Sequence, residues 1–250
     1  MVPKMNPAGD AAGAAVKGAA RPIDLICLDA DDTLWHNMRF FAAAEDAFVA
    51  MLAPFAEAGI ARDRLAAVEV RNLPLYGYGA KSFTLSMIET ALECGADARA
   101  IGDVLEAGRA LLAHPVELLD DIEDTLAALA ERARLVLVTK GDLLHQEMKL
   151  AASGLGEMFH GVEIVSDKKE ETFARLFERY GVPPAHALMA GDSMRSDVLP
   201  ALAAGAWAAY VPQAGAWAHE VAPPPTDAAR FRELANLAEL PDWVRAIEEG

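Results

Sequence analysis

The sequence has few cysteines and few basic residues, and each shortage excludes a class of protein. Two cysteines, Cys27 and Cys94, occur in 250 residues, with no CxxC pair and no Cys/His cluster. A zinc site or a disulfide framework is therefore not expected, and the reducing cytoplasm is the predicted location. Cys27 falls within an apolar run and is predicted to be a small core residue.

The charge balance is strongly acidic. Lysine and arginine contribute 22 residues against 38 of aspartate and glutamate, which gives a formal net charge of −16. Nucleic acids and anionic membranes need a basic surface, so neither is an expected partner. Apolar residues make up 53% and charged residues 24% of the chain, which is typical of a globular protein rather than a disordered one.

Long uninterrupted hydrophobic runs are also scarce. Residues 1–20 are rich in alanine and glycine and are interrupted by Asp10 and Lys17, so they predict a disordered tail and not a signal peptide. The stretch 198–218 contains no charged residue, but it is dominated by alanine and broken by Pro200 and by further proline and glycine residues. We therefore expect a helix, a turn and a strand there, and not a membrane span.

What the sequence does contain is a series of short apolar runs separated by helical patterns. Three of the helical patterns close on Gly154, Gly181 and Gly205, and a glycine just past the last periodic residue indicates a helix end. Strand–helix–strand alternation of this kind predicts an α/β fold, a Rossmann-like parallel sheet with helices on both faces. The five predicted strands lie in 23–30, 134–142, 162–169, 186–193 and 206–212.

A long interval of about 100 residues separates the first predicted strand from the second. It has helical patterns almost throughout, which predicts a helical module inserted after the first strand. The predicted division of the chain is a core of 21–36 and 116–250 with a helical module of 37–115. The helices of the module are expected in 38–59, 63–73, 80–95 and 97–112.

Acidic, hydroxyl and amine side chains follow four of the predicted strands. In parallel sheets ligands bind outside the carboxyl ends of the strands, so these side chains are expected at one edge. Two aspartates after a single strand commonly cap a helix or form a turn, but that explanation suits four strand ends poorly. Converging carboxylates repel each other unless a cation such as Mg²⁺ lies among them. The candidates are Asp29, Asp31, Asp32 and Thr33, then Thr139 and Lys140, then Lys168 and Lys169, and finally Asp192 and Asp197.

These motifs resemble those of a known superfamily. "DADDT" at 29–33, Thr139 at the end of the second strand, a lysine after the third and "GDSMRSD" at 191–197 are similar to the four motifs of the haloacid dehalogenase (HAD) superfamily, in the same order. The resemblance covers nearly everything from about residue 23 onward. It implies an HAD-like core in which the helical module is a C1-type cap domain.

The resemblance implies a catalytic role for each matching residue. Asp29 would be the nucleophile that becomes an aspartyl phosphate, and Asp31 would protonate the leaving oxygen and then activate water. Thr139 would hydrogen-bond the phosphoryl oxygens. Lys168 would neutralise Asp29 and the phosphate, and Lys140, next to Thr139, is a further candidate for binding phosphate.

The same resemblance implies a Mg²⁺ site at this edge of the sheet. The Asp29 carboxylate, the Asp31 carbonyl oxygen and Asp192 would hold the ion. Asp197 would be a second acidic partner at the metal or its waters. Mg²⁺ is accordingly the expected cofactor.

Several neighbouring residues have less definite roles. Lys168 is preferred to Lys169 as the active-site lysine because its spacing to the following aromatic residue fits the family better, and the other would be a solvated lysine. Asp32 is expected to be a cap or turn residue. Trp35 and His36 are expected to pack the hinge, the alternative being that they gate the site.

The cap is expected to select the substrate, because the core motifs would contact mainly the phosphoryl group. The stretch 72–83 is its least helical part, and Gly77 and Gly79 permit close approach of the backbone. Tyr78 and Lys81 are candidates to line a substrate pocket. The alternative is an ordinary loop between helices.

The acidic residue two positions after the nucleophile favours one reaction within the superfamily. A phosphate ester leaves as an alkoxide-like oxygen that needs a proton, whereas a halide does not, so Asp31 favours a Mg²⁺-dependent phosphatase acting on a small phosphorylated metabolite. A sugar phosphomutase is the nearest alternative. A non-catalytic phosphate-binding or phospho-signalling protein is the alternative of another class. The sequence leaves open the metabolite and whether the chain is a monomer or a homodimer.

Overall fold

The architecture is a parallel β-sheet with helices on both faces, in a computed structural model that describes residues 23–215, 217–226 and 229–249. The predicted tail of 1–20 lies outside the described residues. The strands are β1 (Leu25–Leu28), β2 (Arg134–Lys140), β3 (Gly161–Val165), β4 (Ala187–Gly191), β5 (Trp207–Tyr210) and β6 (Phe231–Glu233). Neighbouring strands pair in parallel in the order β3-β2-β1-β4-β5-β6. The predicted fold class is confirmed.

Nine helices accompany the sheet in the part of the chain that the structure describes. Five of them, α1 to α5, lie between β1 and β2, and the first four of these fall where the insertion was expected. The helices are α1 (Met38–Leu52), α2 (Ala58–Tyr76), α3 (Ala80–Glu93), α4 (Ala98–Leu112), α5 (Ile122–Ala130), α6 (Leu143–Ser153), α7 (Glu170–Tyr180), α8 (Leu199–Ala203) and α9 (Leu240–Glu249).

Strand β1 is buried because its side chains alternate between two apolar cores. Ile26 and Leu28 pack in the core that also contains residues of α5 and α9. Leu25 and Cys27 pack in the opposite core with residues of α7 and α8, as predicted for Cys27. A parallel strand covered on both faces in this way needs a continuous apolar sequence, which explains the run at this position.

The order of the strands places a crevice next to β1. From β1 the chain passes to β2 and β3 on one side, and then returns to β4, β5 and β6 on the other. The direction of winding therefore reverses between the two neighbours of β1. Ligands of open α/β sheets bind at the carboxyl ends of the strands at such a reversal, so the site is expected where β1 and β4 end.

The inserted helices form a core of their own. Phe48 of α1, Leu65 of α2, Met87 of α3 and Val104 of α4 pack together and are almost completely buried. The module therefore has its own apolar interior, separate from the two cores of the sheet. The exact domain boundaries at 36/37 and 115/116 stay a prediction.

The boundaries of helices α1 and α2 differ by several residues from those predicted. Helix α1 ends at Leu52 and not at Gly59, because Pro54 cannot continue a helix. Gly59 lies inside α2, which begins at Ala58. The stretch 72–83, predicted to be poorly helical, is helix on both sides of a three-residue connection, Gly77 to Gly79.

The C-terminal part of the sheet contains one strand that was not predicted. Strand β6 has three residues, two of them exposed, so it lacks an apolar run that could have indicated it. Pro200 lies in the first turn of the short helix α8, which follows a π-helical turn, Met194–Val198. Among the helices of the described residues, none is both long enough and apolar enough to cross a membrane.

Candidate active site

The carboxyl ends of the central strands bring three acids and a lysine together. Asp29 directly follows β1, and its backbone N–H donates to the carbonyl oxygen of Ala190 in β4 at 3.0 Å. Asp192 directly follows β4, and Asp197 lies in the π-helical turn after it. Lys168 comes from the loop between β3 and α7. These side chains meet at the point where the winding of the sheet reverses.

Lys168 connects two of the carboxylates. Its Nζ donates to Asp29 Oδ1 and, at 2.6 Å, to Asp197 Oδ1, and 1% of its side chain is exposed. Burial alone would lower the pKa of Lys168, but Asp197 and Asp29 raise it above its ordinary value, so the amine is charged. Lys169, the alternative lysine, is exposed and has its Nζ 3.1 Å from Asp167 Oδ2.

Asp29 lies in a buried, acidic environment. Burial, together with the charge of Asp197, raises the pKa of Asp29 to about 7 although Lys168 opposes this shift. Burial and the charges of Asp29 and Asp197 likewise raise the pKa of Asp192 well above its ordinary value. Thr33 Oγ1 joins the two strand ends, since it donates to Asp29 Oδ2 at 3.4 Å and accepts the Asp192 N–H at 3.1 Å. A further positive charge would therefore stabilise this group of acids.

Asp29, Asp192 and Asp197 can share a metal ion. One carboxylate oxygen of each lies within 4.8 Å of the other two. Gly191 makes this possible, because a Cβ at that position would lie 2.2 Å from Asp197 Oδ2. Several hard carboxylate oxygens at this spacing fit the ligand preference of Mg²⁺. The predicted contribution of Asp31 is its backbone carbonyl oxygen, and that contact stays a prediction.

The Asp31 carboxylate is held by three donors. Lys149 Nζ contacts Oδ1, Trp35 Nε1 donates to Oδ1 at 2.6 Å, and Gln146 Nε2 donates to Oδ2 at 3.1 Å. Burial alone would raise the pKa of Asp31, but these donors, Lys149 foremost, hold it below its ordinary value. Trp35 is 1% exposed, so it packs in the core as expected and also contacts the site.

Asp32 has the structural role that was expected of it. Its φ of 60° is unusual for a residue other than glycine. Its carboxylate accepts the backbone N–H groups of Asn37 and Met38, each at 2.9 Å, where α1 begins. Asp32 therefore joins the loop after β1 to the first helix of the inserted module.

Thr139 and Lys140 stand at the end of β2 with their polar groups already engaged. Thr139 Oγ1 accepts from Gln146 Nε2 at 2.8 Å. Lys140 Nζ donates to Glu220 Oε1 at 2.6 Å and to Ser196 Oγ at 2.7 Å. Burial alone would raise the pKa of Glu220, but Lys140 and two serine hydroxyls lower it to about 2. The predicted contact of Lys140 with phosphate stays a prediction.

A cavity of about 460 Å³ connects these residues to the inserted module. Tyr78 lines it, and its ring centroid lies 3.9 Å from Lys140 Nζ and 6.3 Å from the ring centroid of Trp217. Lys81 directs its Nζ to Asp142 at 2.8 Å, and 48% of its side chain is exposed. The wall that the module contributes includes Met38, Phe41, Glu45, Glu69, Leu73 and Phe83.

Three residues of the site escaped the sequence analysis, namely Gln146, Lys149 and Glu220. Gln146 and Lys149 are three positions apart on α6 and both are buried. A polar pair on one face of the helix that follows Thr139 was the available signal. Glu220 lies in a short turn after β5 in which no pattern indicates its contact with Lys140.

A parallel sheet with buried carboxylates and a lysine at its switch point, facing a helical insertion, has the architecture of an α/β enzyme. The family model of haloacid dehalogenase-like hydrolases matches residues 23–205. The chain belongs to this family and is a hydrolase.

Solved structures and curated proteins share this fold to different extents. A haloacid dehalogenase-like family hydrolase from Xanthomonas campestris is 40% identical, with a TM-score of 0.84 over 93% of this chain and 94% of that chain. The HAD-hydrolase YfnB from Bacillus subtilis, bound to magnesium, is 21% identical, with a TM-score of 0.62 over 89% of this chain and 99% of that chain, and shows the fold alone. N-acylneuraminate-9-phosphatase from Mus musculus is 27% identical over 138 residues, or 52% of this chain. The chain spans about half the length (53%) of this curated relative.

Proposed function

We propose that the chain is a Mg²⁺-dependent phosphatase that hydrolyses a small phosphorylated metabolite through an aspartyl phosphate on Asp29. The observation that supports this most is the pair Asp29 and Asp31, each in contact with its own lysine and both lining one cavity. One carboxylate can attack phosphorus while the other serves the leaving oxygen. A halide leaving group would need no such second carboxylate.

In the first step Asp29 attacks the phosphorus atom. A bond forms between a carboxylate oxygen of Asp29 and phosphorus, and the bond from phosphorus to the ester oxygen breaks. Lys168, in contact with Asp29, offsets the negative charge of the nucleophile and of the phosphoryl oxygens. The Thr139 hydroxyl hydrogen-bonds a phosphoryl oxygen. The leaving oxygen takes the proton of Asp31 and departs as an alcohol.

Asp31 must carry a proton in the first step and lack it in the second. Its pKa is held below the ordinary value by Lys149, and the negative charge of a bound phosphoryl group raises that pKa again. After the alcohol has left with the proton, the Asp31 carboxylate accepts a proton from water. The water oxygen attacks phosphorus, the bond to Asp29 breaks, and phosphate leaves with the nucleophile restored.

The group Asp29, Asp192 and Asp197 would hold Mg²⁺ in this proposal. A divalent ion there would supply positive charge next to the phosphoryl oxygens and reduce the repulsion among the three carboxylates. With Lys168 alone, the pKa values of Asp29 and Asp192 stay raised, which is the electrostatic reason to expect the ion.

The test of the nucleophile is the change Asp29→Asn. We expect wild-type protein to release phosphate from para-nitrophenyl phosphate in the presence of Mg²⁺, and the variant to lose roughly 10³-fold or more in rate, because an amide cannot replace the attacking carboxylate. Wild-type protein that is acid-quenched during turnover should carry a hydroxylamine-labile phosphoryl group, and the variant none.

Asp24→Asn provides the matched control. Asp24 stands just before β1, at the opposite end of that strand, with an exposed side chain near His186. This variant should keep the wild-type rate. An Asp29→Asn protein that folds and retains full activity would overturn the assignment of the nucleophile.

The substrate is best sought with a panel of sugar phosphates, nucleotides and phosphoglycolate. N-acylneuraminate 9-phosphate belongs in that panel because curated phosphatases of that name share part of their sequence with this chain. The phosphomutase alternative makes a different prediction, since a bisphosphorylated sugar would then stimulate isomerisation of the monophosphate. A phosphatase produces inorganic phosphate and no isomer.

A further inference from the structure

We infer that Lys149 is a positioning residue for the general acid/base Asp31 and that Gln146 assists it; the inference rests on the proposed phosphatase function. The sequence motifs supply one lysine, Lys168, which contacts Asp29. The structure contains a second buried lysine, which contacts the other carboxylate of the pair. Each carboxylate thus has its own ammonium group, and the two come from different elements.

Helix α6 is built so that Gln146 and Lys149 face the loop after β1. Two residues separate the end of β2 from the start of the helix, and the second of them, Asp142, caps the helix by accepting the backbone N–H of His145 at 3.0 Å. Residues three positions apart lie on one side of a helix, and both side chains are buried here. The cap therefore fixes the direction in which the pair points.

The burial of Lys149 indicates a specific role. Only 4% of its side chain is exposed, and removing an ammonium group from water is costly unless it is paired and hydrogen-bonded. Its Nζ contacts Asp31 Oδ1 and lies 3.2 Å from Asn37 Oδ1. Asn37 directly precedes α1, so one ammonium group contacts both the acid/base carboxylate and the start of the inserted module.

Gln146 holds the other oxygen of Asp31. Its Nε2 lies 3.1 Å from Asp31 Oδ2, 2.8 Å from Thr139 Oγ1 and 2.8 Å from the carbonyl oxygen of Lys140. A side-chain amide has two N–H groups for these three acceptors, so it can be shared between Asp31 and the predicted phosphate-binding Thr139. Asp31 is thereby restrained at Oδ1 by Lys149 and at Oδ2 by Gln146.

A general acid must hold its proton within hydrogen-bond reach of the leaving oxygen, and small misplacements are costly in rate. Lys149 acts on the reaction through Asp31, because its ammonium is directed to Asp31 and Asn37. Its loss should therefore impair the two proton transfers and leave the attack of Asp29 largely intact. That division can be measured.

The experiment compares Lys149→Met with wild type on two esters, an alkyl phosphate from the panel and 2,4-dinitrophenyl phosphate. The alkyl leaving group needs a proton and the dinitrophenolate does not. We expect kcat/KM to fall about 10²-fold for the alkyl ester and less than about tenfold for the dinitrophenyl ester. Hydrolysis of the aspartyl phosphate needs Asp31 as a base, so the variant should also release a burst of about one equivalent of dinitrophenolate.

Lys169→Met is the matched control, because the Lys169 side chain is exposed and pairs with Asp167. It should behave like wild type with both esters. Lys149→Arg keeps the charge and should restore most of the alkyl-ester activity. If Lys149→Met fails to fold, kcat/KM of Gln146→Met is measured for the same two esters. The alkyl ester should again lose more activity than the dinitrophenyl ester.

An equal fall for both esters without a burst would overturn the inference and leave Lys149 a structural residue. This outcome is distinct from failure of the proposed function. If the proposed function were wrong, wild-type protein would hydrolyse neither ester, or Asp29→Asn would retain the wild-type rate.

Discussion

Glu69 is a residue of the cavity wall whose surroundings disfavour its charge. It lies on α2 and is half-buried. Burial and the nearby charge of Glu45 raise its pKa to about 7. Glu45 itself pairs with Arg62 at 2.7 Å. Because the folded protein binds the Glu69 proton more tightly than the unfolded chain does, folding stability depends on pH at this position.

The sign of that dependence gives a prediction for Glu69→Gln. An acid whose pKa is raised on folding contributes most favourably at low pH, and the free energy of unfolding falls as the pH rises from the unfolded value near 4.5 through about 7. Glutamine stays neutral, so the variant should be more stable than wild type by about 1–3 kcal/mol at pH 8 and nearly equal at pH 4. Urea denaturation at both pH values measures this.

Glu147→Gln serves as the control for that experiment, since Glu147 is exposed on α6. It should show no comparable gain at pH 8. A Glu69→Gln protein with the same stability difference from wild type at pH 4 and pH 8 would contradict the raised pKa.

At the scale of residues, the sequence predicted the site residues that belong to motifs. It did not predict the residues whose role depends on a contact with a distant part of the chain. Asp29 and Asp192 stand directly after strands, so the strand pattern located them. Lys149 and Glu220 became visible only through contacts with Asp31 and Lys140, more than 75 positions away in each case (118 and 80). Such pairings depend on the tertiary arrangement, which local patterns do not encode.

At the scale of elements, α3 and α4 pack with almost no space at one position. A Cβ on Gly108 of α4 would lie 2.2 Å from Thr84 Cγ2 of α3 and 2.4 Å from its Oγ1. Thr84 cannot easily turn away, because its hydroxyl donates to the carbonyl oxygen of Ala80 at 2.6 Å. Glycine is therefore required there by the contact between the helices.

We predict that Gly108→Ala destabilises the protein by about 1–3 kcal/mol, as overpacking of a well-filled interior does. Gly102→Ala on the same helix is the matched control, since a Cβ there meets no atom within 4 Å. Alanine favours helix over glycine, so this control should gain up to about 1 kcal/mol. Thermal or urea denaturation measures both, and equal effects of the two changes would contradict the packing argument.

The elements themselves were predictable where a strong local signal marked their ends. Gly154 and Gly181 adopt positive φ after α6 and α7, as their positions predicted. Gly59 gave the same signal at the end of α1 but lies inside α2, because Pro54 had already ended the earlier helix. Strand β6 has neither an apolar run nor a capping signal. It is a strand because its backbone pairs with β5, which the local sequence does not indicate.

At the scale of the whole molecule, the alternation of strands and helices predicted the parallel sheet and the position of the helical insertion. The order of the strands carries the functional consequence, because it places the ends of β1 and β4 side by side. Three carboxylates collect there, with one lysine between two of them. The fold therefore maintains a concentration of negative charge that costs stability unless a cation is bound.

This cost gives the last prediction, which concerns the stability of the entire protein. A ligand that binds only the folded state stabilises it by about 2.7 kcal/mol at a hundred times its Kd. For a chain of 250 residues this corresponds to a rise in Tm of roughly 5–10 °C. We expect thermal melts in EDTA and in increasing Mg²⁺ to show such a rise.

The variant Asp192→Asn tests whether Mg²⁺ raises the Tm by binding among the three carboxylates or by another cause. It removes one of three neighbouring carboxylates, and burial and the charges of the other two raise the pKa of Asp192 well above its ordinary value. Without Mg²⁺ the variant should therefore melt at a higher temperature than wild type, and Mg²⁺ should shift its Tm little. Wild-type protein whose Tm is unchanged at Mg²⁺ concentrations that support hydrolysis would show that the ion does not bind among these carboxylates, because binding to the folded state must stabilise it.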